Sequence, residues 1–205
     1  MKKTGISLLV FFAVLLIASF YFDSEIINLV SMTRNGALDN FFLGLSFLSS
    51  EIIIFFFLTS LFLWQEHKRK WIMPLWLTLG MTTIASFLIK LSMQRARPYQ
   101  QGLVQILPVL AEESHNIWNF SFPSFQAALV FCAIPILSKE FPRFKYVWIF
   151  FAAIISFSRI YFGVHFLSDV IAGGLIGYLI GLFILKFEKE NKFWERVYEK
   201  VFRKE

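Results

Sequence analysis

The sequence predicts an all-α polytopic membrane protein, a single bundle of about six transmembrane helices with both termini on the cytoplasmic side. Three observations predict it. Of 205 residues, 57% are hydrophobic and 17% are charged, whereas a soluble domain carries about 25% charged residues. The deficit is concentrated in long apolar runs, and runs of about 18 or more residues can cross a hydrocarbon core. The basic residues flank those runs unevenly. With the N-terminus inside, 15 Lys and Arg fall in cytoplasmic segments and five in outer loops, the bias that cytoplasmic loops carry. That bias accounts for the net charge of +6 without a nucleic-acid partner.

In chain order the apolar stretches are 6–22, 41–64, 71–89, 122–137, 146–157 and 166–185. The first exceeds a signal-peptide core and is followed by no small-x-small cleavage site, so it reads as a retained helix. The second carries an acid, Glu51, at a depth near mid-span. The fourth and fifth are short for a span of about 20 residues, unless Pro123, Ser124, Ser158 and Arg159 lie within the outer boundary. In the sixth, Gly173, Gly177 and Gly181 form a stripe that lets helices approach closely, which suits packing within the bundle better than a dimer face. The outer loop 91–121 is long enough to be functional. Residues 187–205 form a cytoplasmic tail in which Phe187, Trp194, Tyr198 and Val201 recur near helical spacing, as in an interfacial amphipathic helix. Cys132 is the only cysteine, which excludes an intramolecular disulfide and a multi-cysteine metal site.

Three polar clusters fall on the outer side of this topology: Lys90 to Pro98, Phe122 to Gln126, and Ser158 to Asp169. Lys90, Arg97 and Arg159 would repel one another unless an anion sat between them, and the planar fork of Arg suits adjacent phosphate oxygens. Singly, each could instead anchor a lipid headgroup. His165 and Asp169 are spaced to share one helical face. An Asp that accepts from one imidazole nitrogen leaves the other free to attack, although such a pair could also be a structural contact at a helix start.

Lys-x6-Arg-Pro (Lys90 to Pro98), then Pro123-Ser124, then Ser-Arg-x5-His-x3-Asp (Ser158 to Asp169) resembles the tripartite signature of the type 2 phosphatidic acid phosphatase superfamily. The resemblance implies a membrane lipid phosphatase that needs no metal or other cofactor and works through a covalent phosphohistidine. His165 would be the nucleophile and Asp169 its orienting partner. Lys90, Arg97 and Arg159 would hold the phosphate, assisted by Ser124 and the backbone of Phe125 and Gln126. The substrate would be a lipid phosphate or diphosphate, met on the extracytoplasmic side of the cell membrane.

The middle motif departs from the family. It usually reads Pro-Ser-Gly-His, with the His as general acid, and here reads Pro123-Ser124-Phe125-Gln126. Gln donates a hydrogen bond but no proton, and losing a general acid costs about 10²–10⁴ in rate. Three accounts stay open. In the first, the leaving group is weakly basic enough to need no acid, as with a polyprenyl diphosphate. His115 or Glu51 could supply the proton. Or the chain could be an impaired pseudoenzyme that binds or transports a lipid phosphate.

Overall fold

The computed structural model describes residues 3–111 and 119–202, all of whose regular elements are helical. In chain order these are α1 (Lys3–Ser31), α2 (Gly36–Leu48), α3 (Glu51–Leu63), a 3-10 turn (Glu66–Trp71) and α4 (Ile72–Met93). They continue with α5 (Pro108–Ala111), α6 (Phe125–Cys132), α7 (Ile134–Glu140), α8 (Phe144–Tyr161), α9 (Leu167–Asn191) and α10 (Phe193–Phe202).

Four helical stretches among the described residues are long and apolar enough to cross a membrane: Val14–Ser31, Glu66–Met93, Phe144–Tyr161 and Leu167–Asn191. The other two apolar stretches are broken. α2 and α3 meet at 59° and qualify only as a bent pair. Their junction is Ser49-Ser50, where the Ser49 hydroxyl donates to the Ser46 carbonyl at 2.9 Å and Ser50 is extended, a combination that kinks helices. Glu51 therefore does not lie inside a continuous span. It opens α3, where a carboxylate suits the positive end of the helix dipole.

The stretch 122–137 becomes α6 and α7, separated at Ala133 just before Pro135, which has no N–H to continue the ladder. α6 is the centre of the bundle: Ala127, Ala128, Val130 and Cys132 have no exposed surface. An apolar sequence on all faces of so short a helix reflects enclosure by protein. α8 carries Ser158 and Arg159 in its last turn, so the polar flank completes the short fifth stretch.

The glycine stripe of α9 is spent inside the molecule. A Cβ on Gly173, Gly177 or Gly181 would lie 2.3, 2.1 and 2.1 Å from the carbonyl oxygens of Ser124, Ala128 and Cys132. Backbone cannot retreat as a flexible side chain can. Gly177→Ala should therefore lower the thermal stability of the detergent-solubilised protein by about 1–3 kcal/mol, while Gly80→Ala, which meets nothing within 4 Å, should leave it unchanged or higher. Equal melting temperatures for the two variants would refute this packing role.

One end of the bundle gathers the 3-10 turn, the end of α7 and α10. Lys68 donates to the Glu140 carbonyl at 2.6 Å, Lys139 lies 3.9 Å from the Trp71 ring centroid, and Lys70 pairs with Glu195. α9 runs on to Asn191, so the tail helix starts later than residue 187. The buried Glu188 carboxylate caps it, accepting from the N–H groups of Trp194 and Glu195 at 3.1 and 2.9 Å. The tail is docked on the bundle by these bonds. The sequence-predicted site lies at the far end of α4, about 30 Å away for a helix of this length.

Candidate active site

At that end four helix termini converge. α4 stops at Gln94, whose left-handed backbone (φ 46°) turns the chain just before Arg95 and Arg97. α6 begins at Phe125, α8 ends at Arg159, and α9 begins just after His165. Between α8 and α9 the chain turns through Gly163 (φ 69°), and the Val164 and His165 N–H groups both donate to the Arg159 carbonyl at 3.2 Å. Nucleophile candidate and cation are thus fixed by one backbone turn.

A cavity of about 370 Å³ sits among these ends, lined by Lys90, Arg97, Phe125, Gln126, Arg159 and His165, together with Glu51 and Tyr99. Lys90 Nζ donates to the Phe120 carbonyl at 2.6 Å. An Arg97 nitrogen donates to the Val164 carbonyl at 3.1 Å and lies 3.5 Å from His165 Nε2. Arg159 donates to Gln126 Oε1 at 2.6 Å, to the Ser158 hydroxyl and to the Ser46 hydroxyl. A guanidinium can only donate, so the Gln126 oxygen is committed to Arg159 and its NH₂ remains the group it can offer a ligand. Three cations facing one cavity, with Glu51 the lining carboxylate among the described residues, make a receptor for a compact anion.

His165 is buried. Burial, reinforced by the Arg97 guanidinium, pushes its imidazole down to about 3, so the ring is neutral at physiological pH and keeps a lone pair. The expected contact with Asp169 is looser than the spacing suggests. His165 Nδ1 lies 3.8 Å from Asp169 Oδ2, beyond hydrogen-bond length, and has no hydrogen-bond partner among the described residues. Asp169 Oδ2 is occupied by the Phe166 N–H at 2.7 Å and the Ser121 hydroxyl at 2.5 Å, and Oδ1 takes Arg95 at 2.6 Å.

Ser124 and Asp169 lie behind the cavity wall rather than on it. The Ser124 N–H is spent on the Asp169 carbonyl oxygen at 2.9 Å, and its buried hydroxyl has no hydrogen-bond partner among the described residues. Phe125 fills part of the lining, and the first N–H groups of α6 have no partner within the helix. Glu51, which the sequence puts at a depth near mid-span, shares the cavity with Lys90 and His165. His115 lies outside the described residues. Among the described residues no group of three or more His, Cys, Asp or Glu side chains is arranged to hold a metal ion.

Sequence reasoning missed Arg95, Asp23 and Ser46. Arg95 bridges two carboxylates, Asp169 and Asp23 of α1, at 2.6 and 2.7 Å. The available signals were a second Arg two residues before Arg97 and an acid closing an apolar run.

Residues 71–193 match the family model of the PAP2 (type 2 phosphatidic acid phosphatase) superfamily. The chain is similar to an undecaprenyl-diphosphatase of Sulfolobus acidocaldarius, 26% identical over 172 residues that cover 82% of this chain and 79% of that protein. It is also similar to lipid phosphate phosphatase delta of Arabidopsis thaliana, 30% identical over 183 residues, or 80% of this chain and 42% of that longer protein. Among solved structures, a transmembrane PAP2 type phosphatidylglycerolphosphate phosphatase from Bacillus subtilis superposes with a TM-score of 0.71 at 22% identity. That match covers 94% of this chain and 99% of the other, and at such identity it is a likeness of fold.

Proposed function

Since this chain belongs to the PAP2 superfamily, we propose that it is a membrane lipid phosphatase that hydrolyses a lipid-linked phosphate through a phosphohistidine, with a polyprenyl diphosphate as its preferred substrate. The observation that carries the reading is the single cavity lined by Lys90, Arg97, Arg159 and the neutral imidazole of His165. The His165 Nε2 lone pair attacks phosphorus, and the bond from phosphorus to the leaving oxygen breaks, its electron pair going to that oxygen. The three cations hold the remaining phosphoryl oxygens and balance the charge spread over them. The imidazole becomes positive as the bond forms, and Asp169 faces it from the Nδ1 side. Water then attacks phosphorus, the P–N bond breaks, and inorganic phosphate leaves with neutral His165 restored.

The substrate follows from Gln126. An alkoxide leaving group is about as basic as hydroxide, whose conjugate acid has a pKa of about 15.7. A lipid monophosphate leaving from a diphosphate has a second pKa of about 6, by analogy with phosphoserine. The latter departs without a proton, needing only the Gln126 amide to stabilise charge. A specific observation favours a second reading, in which Glu51 donates the proton. It borders both the phosphate cavity and an adjoining apolar groove lined by Ile52, Phe55, Phe56, Trp76 and Leu79. In a lipid monophosphate the leaving oxygen joins phosphorus to hydrocarbon and belongs at such a junction.

Purified protein in detergent with EDTA should release inorganic phosphate from a polyprenyl diphosphate. Complete inactivity toward lipid mono- and diphosphates alike would leave binding or transport as the function. The site should face away from the cytoplasm. Native Cys132 is buried, so an impermeant thiol reagent added to intact cells should label Gln101→Cys and spare Glu66→Cys. Labelling of the latter alone would invert the topology.

A further inference from the structure

Asp23 is a buried acid in α1, just after its apolar run, and burying a carboxylate is costly unless it is paired. It is paired with the third motif. Asp23 Oδ1 accepts from the Ser168 N–H at 3.0 Å, Oδ2 accepts from Arg95 at 2.7 Å, and the carboxylate also takes the Ser168 hydroxyl. Arg95 in turn donates to the Ser168 hydroxyl and to Asp169 Oδ1, each at 2.6 Å, and its guanidinium lies 4.1 Å from the Phe166 ring centroid. α1, the segment after α4 and the start of α9 therefore meet in one polar cluster directly behind His165. None of Asp23, Arg95 and Ser168 lines the phosphate cavity.

From this geometry we infer that Asp23 and Arg95 are positioning residues for the His165–Asp169 pair, acting on turnover through Asp169 and not on substrate binding. The inference rests on the phosphohistidine reading above. Arg95 fixes Asp169 Oδ1, which leaves Oδ2 as the oxygen turned toward Nδ1. The charges also count. Two carboxylates and one guanidinium leave one net negative charge behind an imidazole that becomes positive when Nε2 bonds to phosphorus. Without Asp23 the cluster is neutral and Arg95 draws fully on Asp169, so the positive imidazole loses its counter-charge. Without Arg95 two buried carboxylates face each other and Asp169 loses its anchor. A side chain that merely fastened α1 to the bundle would not separate turnover from substrate binding.

The test is steady-state kinetics on the full-length protein with a polyprenyl diphosphate, together with competitive inhibition by inorganic phosphate and thermal melting. Asp23→Asn and Arg95→Gln should each lower kcat by about 10–100-fold, with KM and the phosphate inhibition constant kept within about twofold. Arg95→Lys should fall between Arg95→Gln and the parent. A folded Asp23→Asn with undiminished kcat overturns the inference, as does a loss in which KM and the inhibition constant rise with the fall in kcat. If Asp23→Asn does not fold, Ser168→Ala, which removes the hydroxyl that Asp23 and Arg95 share, decides it by the same criteria. Turnover that persists in His165→Ala overturns the phosphohistidine reading and this inference together. An inactive His165→Ala beside a fully active Asp23→Asn overturns only the latter.

Discussion

His165→Ala should abolish phosphate release, with a loss of about 10⁴-fold or more, while Gln126→Ala should keep a measurable fraction of the parent rate. Among the described residues no second imidazole or thiol borders the cavity, so nothing else there can take up the phosphoryl group in the same way. Gln126 contributes differently. It accepts from Arg159 at 2.6 Å and offers only its NH₂ to the substrate, so its removal costs one charge-stabilising donor and some control of Arg159. Loss of one such donor is worth about 10²–10³-fold. The comparison is read from kcat on one lipid diphosphate, with melting curves to confirm that both variants are folded. Equal losses would contradict the division of labour between nucleophile and donor.

The second large effect concerns the leaving group. With no proton donor at the position of Gln126, a lipid diphosphate should turn over about 10²–10⁴ times faster than a monophosphate on the same lipid, the span that general acid catalysis supplies. Gln126→His should narrow that ratio by raising monophosphate turnover. Phe125 lines the same wall, so Phe125→Gly alongside it makes room for the imidazole. Glu51→Gln separates the two readings of proton supply. If Glu51 serves as donor, the parent protein uses the monophosphate nearly as fast as the diphosphate, and Glu51→Gln removes the monophosphate activity selectively. If the leaving group needs no acid, the parent already discriminates and Glu51→Gln leaves the ratio in place.

The membrane bundle and most residues of the candidate site were legible because both are written in local spacing. Apolar runs mark helices whatever their partners, and Lys90, Arg97, Arg159 and His165 stand in short motifs whose order survives folding. What local spacing does not carry is where helices break and what meets across the bundle. Ser49-Ser50 looks like a pair of small polar residues inside a long apolar run, yet it bends the run and brings Glu51 to the cavity. The His165–Asp169 spacing places both side chains on one face, but the competing bonds from Arg95, Ser121 and the Phe166 N–H hold the carboxylate at 3.8 Å. Asp23 lies 146 positions before Asp169, and no periodicity links residues so far apart. The glycine stripe was readable as a close-packing face. That it meets the carbonyls of Ser124, Ala128 and Cys132 follows only from the fold.

A phosphohistidine requires a covalent bond between phosphorus and His165, and rapid-quench trapping detects that bond. Protein mixed with a phosphorus-labelled lipid diphosphate and quenched within one turnover should carry label on the peptide containing His165. Phosphorus NMR should show that label bonded to nitrogen rather than oxygen, and His165→Ala should carry none. Phosphate release at the parent rate with no labelled protein at any quench time, or label on a residue other than His165, would rule out a phosphohistidine at His165.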